Sequence, residues 1–277
     1  MPRFQAFITD MDGTILPAVK VAGKPLSERT KATLRRVSRQ GVSVVLCSGR
    51  SALSLSRYAR EIGLAQGEMI CFNGARAVEL ETGEVLARNE IDPAVGREML
   101  AWLAARNCYA HYFAGDQWFC REECDISRQY ARQTGVEPRY THRQLEACMT
   151  EPAPKLLGIG EPGEIARLRE EAEKTFAGRL NVMTSSSHLL EITSVEASKG
   201  AAVEQLCRAR GWTKDDVLCA GDGLNDLSMM QWAKYGVTVA NANPAIKALA
   251  WREGPACDED GIAALLDELI PPEENRA

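Results

Sequence analysis

Two aspartates one residue apart, Asp10 and Asp12, close a mostly apolar run, Phe4-Gln5-Ala6-Phe7-Ile8-Thr9, and are followed by Gly13-Thr14. Residues i and i+2 of an extended segment point the same way, so both carboxylates can converge at the carboxyl end of a strand. Open α/β sheets place their ligands at that end. Crowded carboxylates raise each other's pKa unless a cation holds them or one keeps a proton, and either state is useful for chemistry. A plainer reading stays open beside this one, because Asp-Gly is also a hairpin turn signal.

Three more polar clusters fall at the ends of elements. The apolar run Val42-Ser43-Val44-Val45-Leu46-Cys47 reads as a strand buried on both faces and ends in Ser48-Gly49-Arg50. Ser198-Lys199-Gly200 opens a helix that carries Val203 and Leu206 and stops near Gly211. Val217-Leu218-Cys219-Ala220 is another buried-strand pattern, running into Gly221-Asp222-Gly223-Leu224-Asn225-Asp226. Each cluster has a bland alternative: Ser48 as a helix cap, Lys199 as a solvated lysine, residues 222–226 as a loop. Their joint occurrence predicts one site assembled from four element ends.

With these residues in order, the sequence resembles the haloacid dehalogenase-like phosphatase superfamily. The four matching motifs are Asp10-Met11-Asp12-Gly13-Thr14, then Ser48, then Lys199, then Gly221 to Asp226. The match is similar above all to the Cof-type, class IIB branch, through Ser48-Gly49-Arg50, Ile70-Cys71-Phe72-Asn73-Gly74-Ala75, Ser198-Lys199-Gly200 and Asn241-Ala242-Asn243. Ser48 stands where many relatives carry Thr, and Met11 where many carry Leu; neither change removes a needed group. The resemblance covers the chain to about Leu80 and from about Leu189 onward. It implies an α/β fold: a Rossmann-like, doubly wound parallel sheet core (residues 1–82 and 189–277) with an inserted α/β cap (83–188). It also implies a Mg²⁺-dependent phosphomonoester hydrolase acting on small phosphorylated metabolites, sugar phosphates foremost.

The site roles are likewise implied by the resemblance. Asp10 would be the nucleophile that forms an aspartyl-phosphate, and Asp12 the general acid and then base. Mg²⁺ would be held by Asp10, Asp222 and the main-chain carbonyl of Asp12. Ser48, Lys199 and Asn225, with backbone groups of Met11 and Gly49, would hold phosphoryl oxygens. Arg50, with Arg76, would contact substrate or close the cap by ion pairing. Asp226 and Asn73 would stand behind these groups, Asp226 orienting Lys199 or metal-bound water. Two alternatives stay beside this reading: a catalytically silent regulatory or binding protein of the same fold, and a phosphomutase.

At 277 residues, with 45% hydrophobic and 26% charged residues, the composition is ordinary for a globular protein of two domains. A net charge of −5 argues against a general nucleic-acid binder. It does not argue against small anions, which a local lysine, a cation and backbone amides can recruit. No run is long enough to span a bilayer and no signal peptide is evident. Nine cysteines are an odd number, and Cys47, Cys71 and Cys219 lie in apolar strand patterns. The expectation is reduced core thiols in a cytoplasmic monomer or weak homo-oligomer. Cys120 and Cys124 lack a second cysteine pair for zinc, and His111, His142 and His188 are too scattered for a metal cluster.

The middle third reads as mixed helix and strand. Asp92-Pro93 starts a helix with Val95, Met99, Trp102 and Leu103 on its apolar face. Residues 108–113 and 117–120 form a hairpin around Gly115-Asp116. A strand (155–159), a helix (164–176) and a strand (180–184) follow, after which residues 189–192 lead back into the core. Residues 122–151 read as helix and loop. Tyr109, His111, Tyr112, Trp118 and Arg121 are candidates to contact a leaving group, against the alternative that they pack the sheet. Gly158-Ile159-Gly160-Glu161-Pro162-Gly163 has the glycine spacing of a dinucleotide site, but the next strand lacks the acid that would hold a ribose. The segments 81–84 and 184–187 are expected hinges.

Overall fold

The apolar run before Asp10 becomes an interior strand of an eight-stranded sheet. In the computed structural model, which describes residues 4–17 and 25–272, β1 (Ala6–Thr9) is flanked in parallel by β2 (Ser43–Cys47) and β12 (Val217–Ala220). Thr9 pairs with Leu46 on one side and Ala220 on the other, so three clusters that follow these strands emerge side by side. The sheet continues through β3 (Glu68–Cys71), β4 (Arg76–Glu79) and β5 (Val85–Arg88) beyond β2. Beyond β12 lie β13 (Tyr235–Val239) and β14 (Arg252–Gly254). Six strands are parallel; β4 and β5 pair antiparallel and make the sheet mixed at that edge. Chain order departs from β1 in both directions, which is where doubly wound sheets open a crevice at their carboxyl ends.

Both faces of these strands are covered, which explains their unbroken apolar character. Ala6 and Ile8 pack with Ala202, Val203 and Leu206 of α7 (Lys199–Arg210), while Phe7 between them is equally buried. Full burial of one such large side chain is worth about 1.5–3 kcal/mol. The helix ends are fixed locally. Ser27 caps α1 (Glu28–Arg39) and Ser51 caps α2 (Ala52–Ile62), so the cap of α2 is Ser51 and not Ser48. Ser198 caps α7 through the Ala201 amide, 3.1 Å away, and Gly211 closes it at φ 71°. That cap sets where Lys199 leaves the helix.

The remaining residues form a second compact unit, Asn89–Ala197, which lies in sequence between the two pieces of the first. Its six-stranded sheet has the order β10-β11-β9-β6-β7-β8. These strands are β6 (Tyr109–Ala114), β7 (Gln117–Cys120), β8 (Arg139–Tyr140), β9 (Leu156–Ile159), β10 (Leu180–Ser186) and β11 (Leu189–Ser194). Leu100 and Leu103 of α3 (Pro93–Ala104) and Ile165 and Leu168 of α6 (Pro162–Thr175) share a core with Tyr112, Leu156, Leu190 and Ile192. Asp92 caps α3 and Pro93 occupies its first turn, as the sequence suggests. Within 122–151 the chain forms α4 (Asp125–Thr134), the two-residue β8, and α5 (Leu145–Cys148). So short a strand leaves no period to read in sequence.

The unit boundaries differ from those expected. They fall after Arg88 and after Ala197 rather than after residues 82 and 188. Thr82-Gly83 is the turn of the β4–β5 hairpin, with the Glu79 amide donating to the Glu84 carbonyl at 2.8 Å, so the core sheet runs on past it. Residues 189–192 do not return to the core: β11 is sandwiched antiparallel between β9 and β10. Both expected hinges, 81–84 and 184–187, are therefore connections inside a sheet. In the glycine-spaced segment the first glycine is packed. A side chain at Gly158 would press within 3.2 Å of Cys108 Sγ, and Gly163 lies inside α6.

One glycine couples fold to site. The N-terminus of α7 approaches α8 (Leu227–Trp232) so closely that a Cβ on Gly200 would lie 2.5 Å from the Ser228 carbonyl oxygen, and the Gly200 amide donates to Ser228 Oγ at 3.0 Å. Gly200→Ala is expected to destabilise the protein by about 1–3 kcal/mol through overpacking. Urea unfolding followed by circular dichroism would measure this as a lowered midpoint; an unchanged midpoint would show that the helices can separate without penalty.

Candidate active site

The four clusters meet at the carboxyl ends of β1, β2 and β12 and the start of α7. Lys199 is fully buried, and its Nζ donates to Asp10 Oδ1 at 2.5 Å and to Asp226 Oδ1 at 2.6 Å. The other oxygen of Asp226 accepts from the amides of Asp222 and Gly223, both at 2.9 Å. Asp226 thus fixes the lysine with one oxygen and the 222–226 loop with the other. Thr14 Oγ1 donates to Asp222 Oδ1 at 2.6 Å and lies 3.4 Å from Asp10 Oδ2, so it spans the gap between the two loops.

Charge in this cluster is unbalanced. Asp10, Asp222 and Asp226 offer carboxylate oxygens within 4.8 Å of one another, and Lys199 is the ammonium bonded to two of them. Burial pushes the Asp10 carboxyl up to about 8, with the Asp226 charge adding to the effect and Lys199 opposing it. Burial raises Asp222 as well. Burial works against the charge on Lys199, yet Asp10 and Asp226 hold its ammonium above the usual lysine range. An ion pair by itself would depress the Asp10 pKa; burial outweighs it here, and, apart from that shift, three clustered carboxylates face one ammonium. A divalent cation with a preference for oxygen fits that deficit. Since both Asp226 oxygens are committed to protein donors, Asp10 and Asp222 are the carboxylates left to hold one.

Asp12 is placed differently. Its carboxylate takes a two-pronged contact from Arg50, Nη2 to Oδ1 at 2.6 Å and Nε to Oδ2 at 2.8 Å. That fork geometry is strong and directional, and the bonds to Asp12 raise the Arg50 pKa further. Arg50, read from sequence as a substrate contact, is here a partner of Asp12, with its guanidinium also over the Tyr58 ring at 5.3 Å. Ser48 is buried and accepts from the Arg50 amide at 3.3 Å. The Ser48 carbonyl takes the Asn73 amide at 3.0 Å, and the Arg50 carbonyl takes the Phe72 amide at 3.0 Å. Two loops are thereby stitched together. Asn73 itself sits at φ 56°, a conformation asparagine tolerates better than most residues. Its Oδ1 accepts from Asn225 Nδ2 at 3.2 Å, and a side chain at Gly49 would press on it. Met11 has a fully buried side chain, and its carbonyl takes the amides of Thr14, Ile15 and Leu16.

Several supporting residues have no role in the sequence reading. Thr14 was visible only as part of a motif; a hydroxyl two positions past an aspartate carries no signal of its own. Thr238 Oγ1 donates to the Gly221 carbonyl at 2.6 Å, and the Asn243 amide donates to the Asp222 carbonyl at 2.9 Å. Both come from the far end of the chain, where spacing predicts nothing. In the second unit the expected aromatic contacts are largely packing. His111 and Trp118 are buried with ring centroids 4.3 Å apart, and Tyr112 stacks on Phe119. Arg121 is exposed and pairs with Glu122 at 3.0 Å. Burial lowers the His111 pKa to about 3, so that ring is neutral.

The chain matches the haloacid dehalogenase-like hydrolase family over residues 7–266. It is 28% identical to YxeH of Bacillus subtilis strain 168 over 271 residues, 96% of this chain and 98% of that protein. It is 28% identical to the HMP-PP phosphatase of Escherichia coli O157:H7 over 248 residues, 90% of this chain and 88% of that one. Among solved structures, a haloacid dehalogenase-like hydrolase from Bacteroides thetaiotaomicron superposes with a TM-score of 0.87 at 26% identity, covering 96% of this chain and all of that one.

The buried Lys199 makes Asp226 the stability-critical carboxylate. Asp226→Ala removes one of the two anions on the lysine and frees two amides, and is expected to destabilise the fold by about 3–5 kcal/mol, the usual cost of breaking a buried pair. Asp10→Asn also takes an anion from Lys199, but it relieves the burial of a carboxylate beside Asp226 and frees no backbone amide, so its loss should be clearly smaller. Chemical denaturation of both variants checks the contrast; equal losses would contradict it.

Proposed function

The chain belongs to the haloacid dehalogenase-like hydrolases, in their Cof-type phosphatase branch, and from that premise we propose that it hydrolyses phosphomonoesters of small metabolites through an aspartyl-phosphate on Asp10. The observation that carries this reading is the pairing of Asp10 with Lys199 in a cluster of three carboxylates that this one ammonium serves. Mg²⁺, when bound by Asp10, Asp222 and the main-chain carbonyl of Asp12, would neutralise phosphoryl oxygens and complete the charge balance.

The chain's own residues supply the rest. Phosphate esters repel nucleophiles, so positioning and charge neutralisation are the main tasks. Asp10 is aimed by Lys199 and attacks phosphorus; the P–O bond to the leaving group breaks as the Asp10 oxygen bonds. Lys199 offsets the charge on Asp10 before attack and on the transferred phosphoryl after it. Ser48 and Asn225, with backbone groups of Met11 and Gly49, hold phosphoryl oxygens. Asp12 gives a proton to the departing alkoxide and then takes one from the water that attacks the phosphoenzyme. Arg50 holds the Asp12 carboxyl in place through both of its oxygens.

The inserted unit is proposed as the cap that sets leaving-group preference, since it lies outside the four motifs that build the phosphoryl site. Sugar phosphates are the proposed substrates. A diphosphate ester deserves a place in the same screen because one relative is an HMP-PP phosphatase. Nine cysteines with no disulfide among the described residues support a reducing, cytoplasmic setting, and no helix of the described residues is long and apolar enough to cross a membrane. A monomer or weak homo-oligomer without nucleic-acid partners completes the proposal. The full set of Asp10, Asp12, Lys199 and Asp222 weighs against a silent relative, and nothing favours a mutase.

Two variants test the assignments. Asp10→Asn should lower turnover of p-nitrophenyl phosphate by at least about 10³-fold, with circular dichroism unchanged; near wild-type turnover would refute the nucleophile. Asp12→Asn should nearly abolish sugar phosphate hydrolysis, since an alkoxide needs a proton to depart. Nitrophenolate does not, so the same variant should release one burst of it per enzyme and then turn over slowly. Equal losses on both substrates with no burst would assign Asp12 a structural role.

A further inference from the structure

The first acidic loop (10–14) and the second (222–226) bring together carboxylates whose charge burial disfavours. Thr14 joins their side chains. A second connection comes from outside both loops. Asn241, just beyond the end of β13, donates from Nδ2 to the Gly13 carbonyl at 2.8 Å and accepts at Oδ1 from the Cys257 amide at 2.7 Å. Two residues on, the Asn243 amide donates to the Asp222 carbonyl at 2.9 Å. In the sheet order, β13 is separated from β1 by β12, so the Asn241 side chain reaches past the Asp222 loop to hold the Asp12–Gly13 turn.

The geometry at Gly13 shows why that grip matters. Gly13 sits at φ +96°, and a Cβ there would lie 2.8 Å from the carboxylate carbon of Asp222. Its backbone is therefore the wall against which the Asp222 carboxylate is set. A peptide free to rotate at this point would change the separation of Asp10 and Asp222 and the direction of the neighbouring Asp12 carbonyl. Both ends of the Asn241 amide are bonded to backbone, so it can neither swing away nor exchange partners without losing a hydrogen bond.

We propose that Asn241 is a positioning residue for the divalent cation site, cinching the Gly13 turn against the Asp222 loop so that the Asp10 and Asp222 carboxylates are held at ligand spacing. The proposal rests on the functional reading above. It predicts that removing the Gly13 contact weakens cation binding even though no cation ligand is touched. Groups behind a metal site commonly affect its affinity by about 10–100-fold.

Mn²⁺ serves as the probe, its binding to the full chain followed by isothermal calorimetry and by loss of the free-ion paramagnetic resonance signal. Asn241→Ala should raise the Mn²⁺ dissociation constant by about tenfold or more with far-ultraviolet dichroism retained. Asn241→Asp is the second variant. It keeps the acceptor for the Cys257 amide but sets a carboxylate oxygen against the Gly13 carbonyl. Added negative charge alone would tighten cation binding; positioning requires that this variant, too, bind more weakly. Wild-type affinity in both variants, or tighter binding in Asn241→Asp, would overturn the proposal while leaving the phosphatase reading intact. Absence of Mn²⁺ binding by the wild-type chain would overturn both.

Discussion

The buried ammonium of Lys199 is the constraint on which the site depends. A lysine with no exposed surface is tolerated only with anions in contact, and here Asp10 and Asp226 supply them from two different loops. The pairing is asymmetric in purpose. Asp226 is locked on its other side by two backbone amides, whereas Asp10 keeps Oδ2 directed toward Thr14 and Asp222. One partner anchors the lysine and the other is held ready. The same arrangement forces α7 to begin where it does, which in turn requires Ser198 as its cap and a glycine at 200 against α8.

The sheet topology follows from the need to deliver these groups to one place. Parallel strands with right-handed crossovers put successive carboxyl ends on the same edge. Asp10, Ser48 and Asp222 therefore arrive together although 212 positions separate the first from the last. The polar clusters could not be central to a strand, where their desolvation would be uncompensated. Beyond each strand end they find backbone amides, a lysine, or each other. The Arg50–Asp12 fork is a second charge pair, with both side chains partly exposed.

Much of this was legible in the sequence, and the reasons are local. Strands such as Val217–Ala220 are apolar on both faces, helices carry serine caps and glycine stops, and the reactive residues sit directly beyond them. What escaped was set by pairing at long range. Residues 189–192 look like any strand, and only their register with β9 and β10 assigns them to the second sheet. Thr82-Gly83 has the composition of a linker, and only the antiparallel β4–β5 ladder makes it a hairpin turn within the core. Asp12 and Arg50 are 38 positions apart, and nothing in either motif announces the fork between them.

The central claim is that Asp10 carries the phosphoryl group covalently during turnover. The measurement that reaches it most directly is acid quenching during steady-state hydrolysis, followed by mass-spectrometric mapping of the denatured chain. The account predicts an acid-stable, hydroxylamine-labile phosphoryl group on the peptide containing Asp10, present with substrate and Mg²⁺ and lost when the metal is chelated. Sustained turnover with phosphate on a different residue, or with none trapped on Asp10 even when breakdown is slowed, would contradict it.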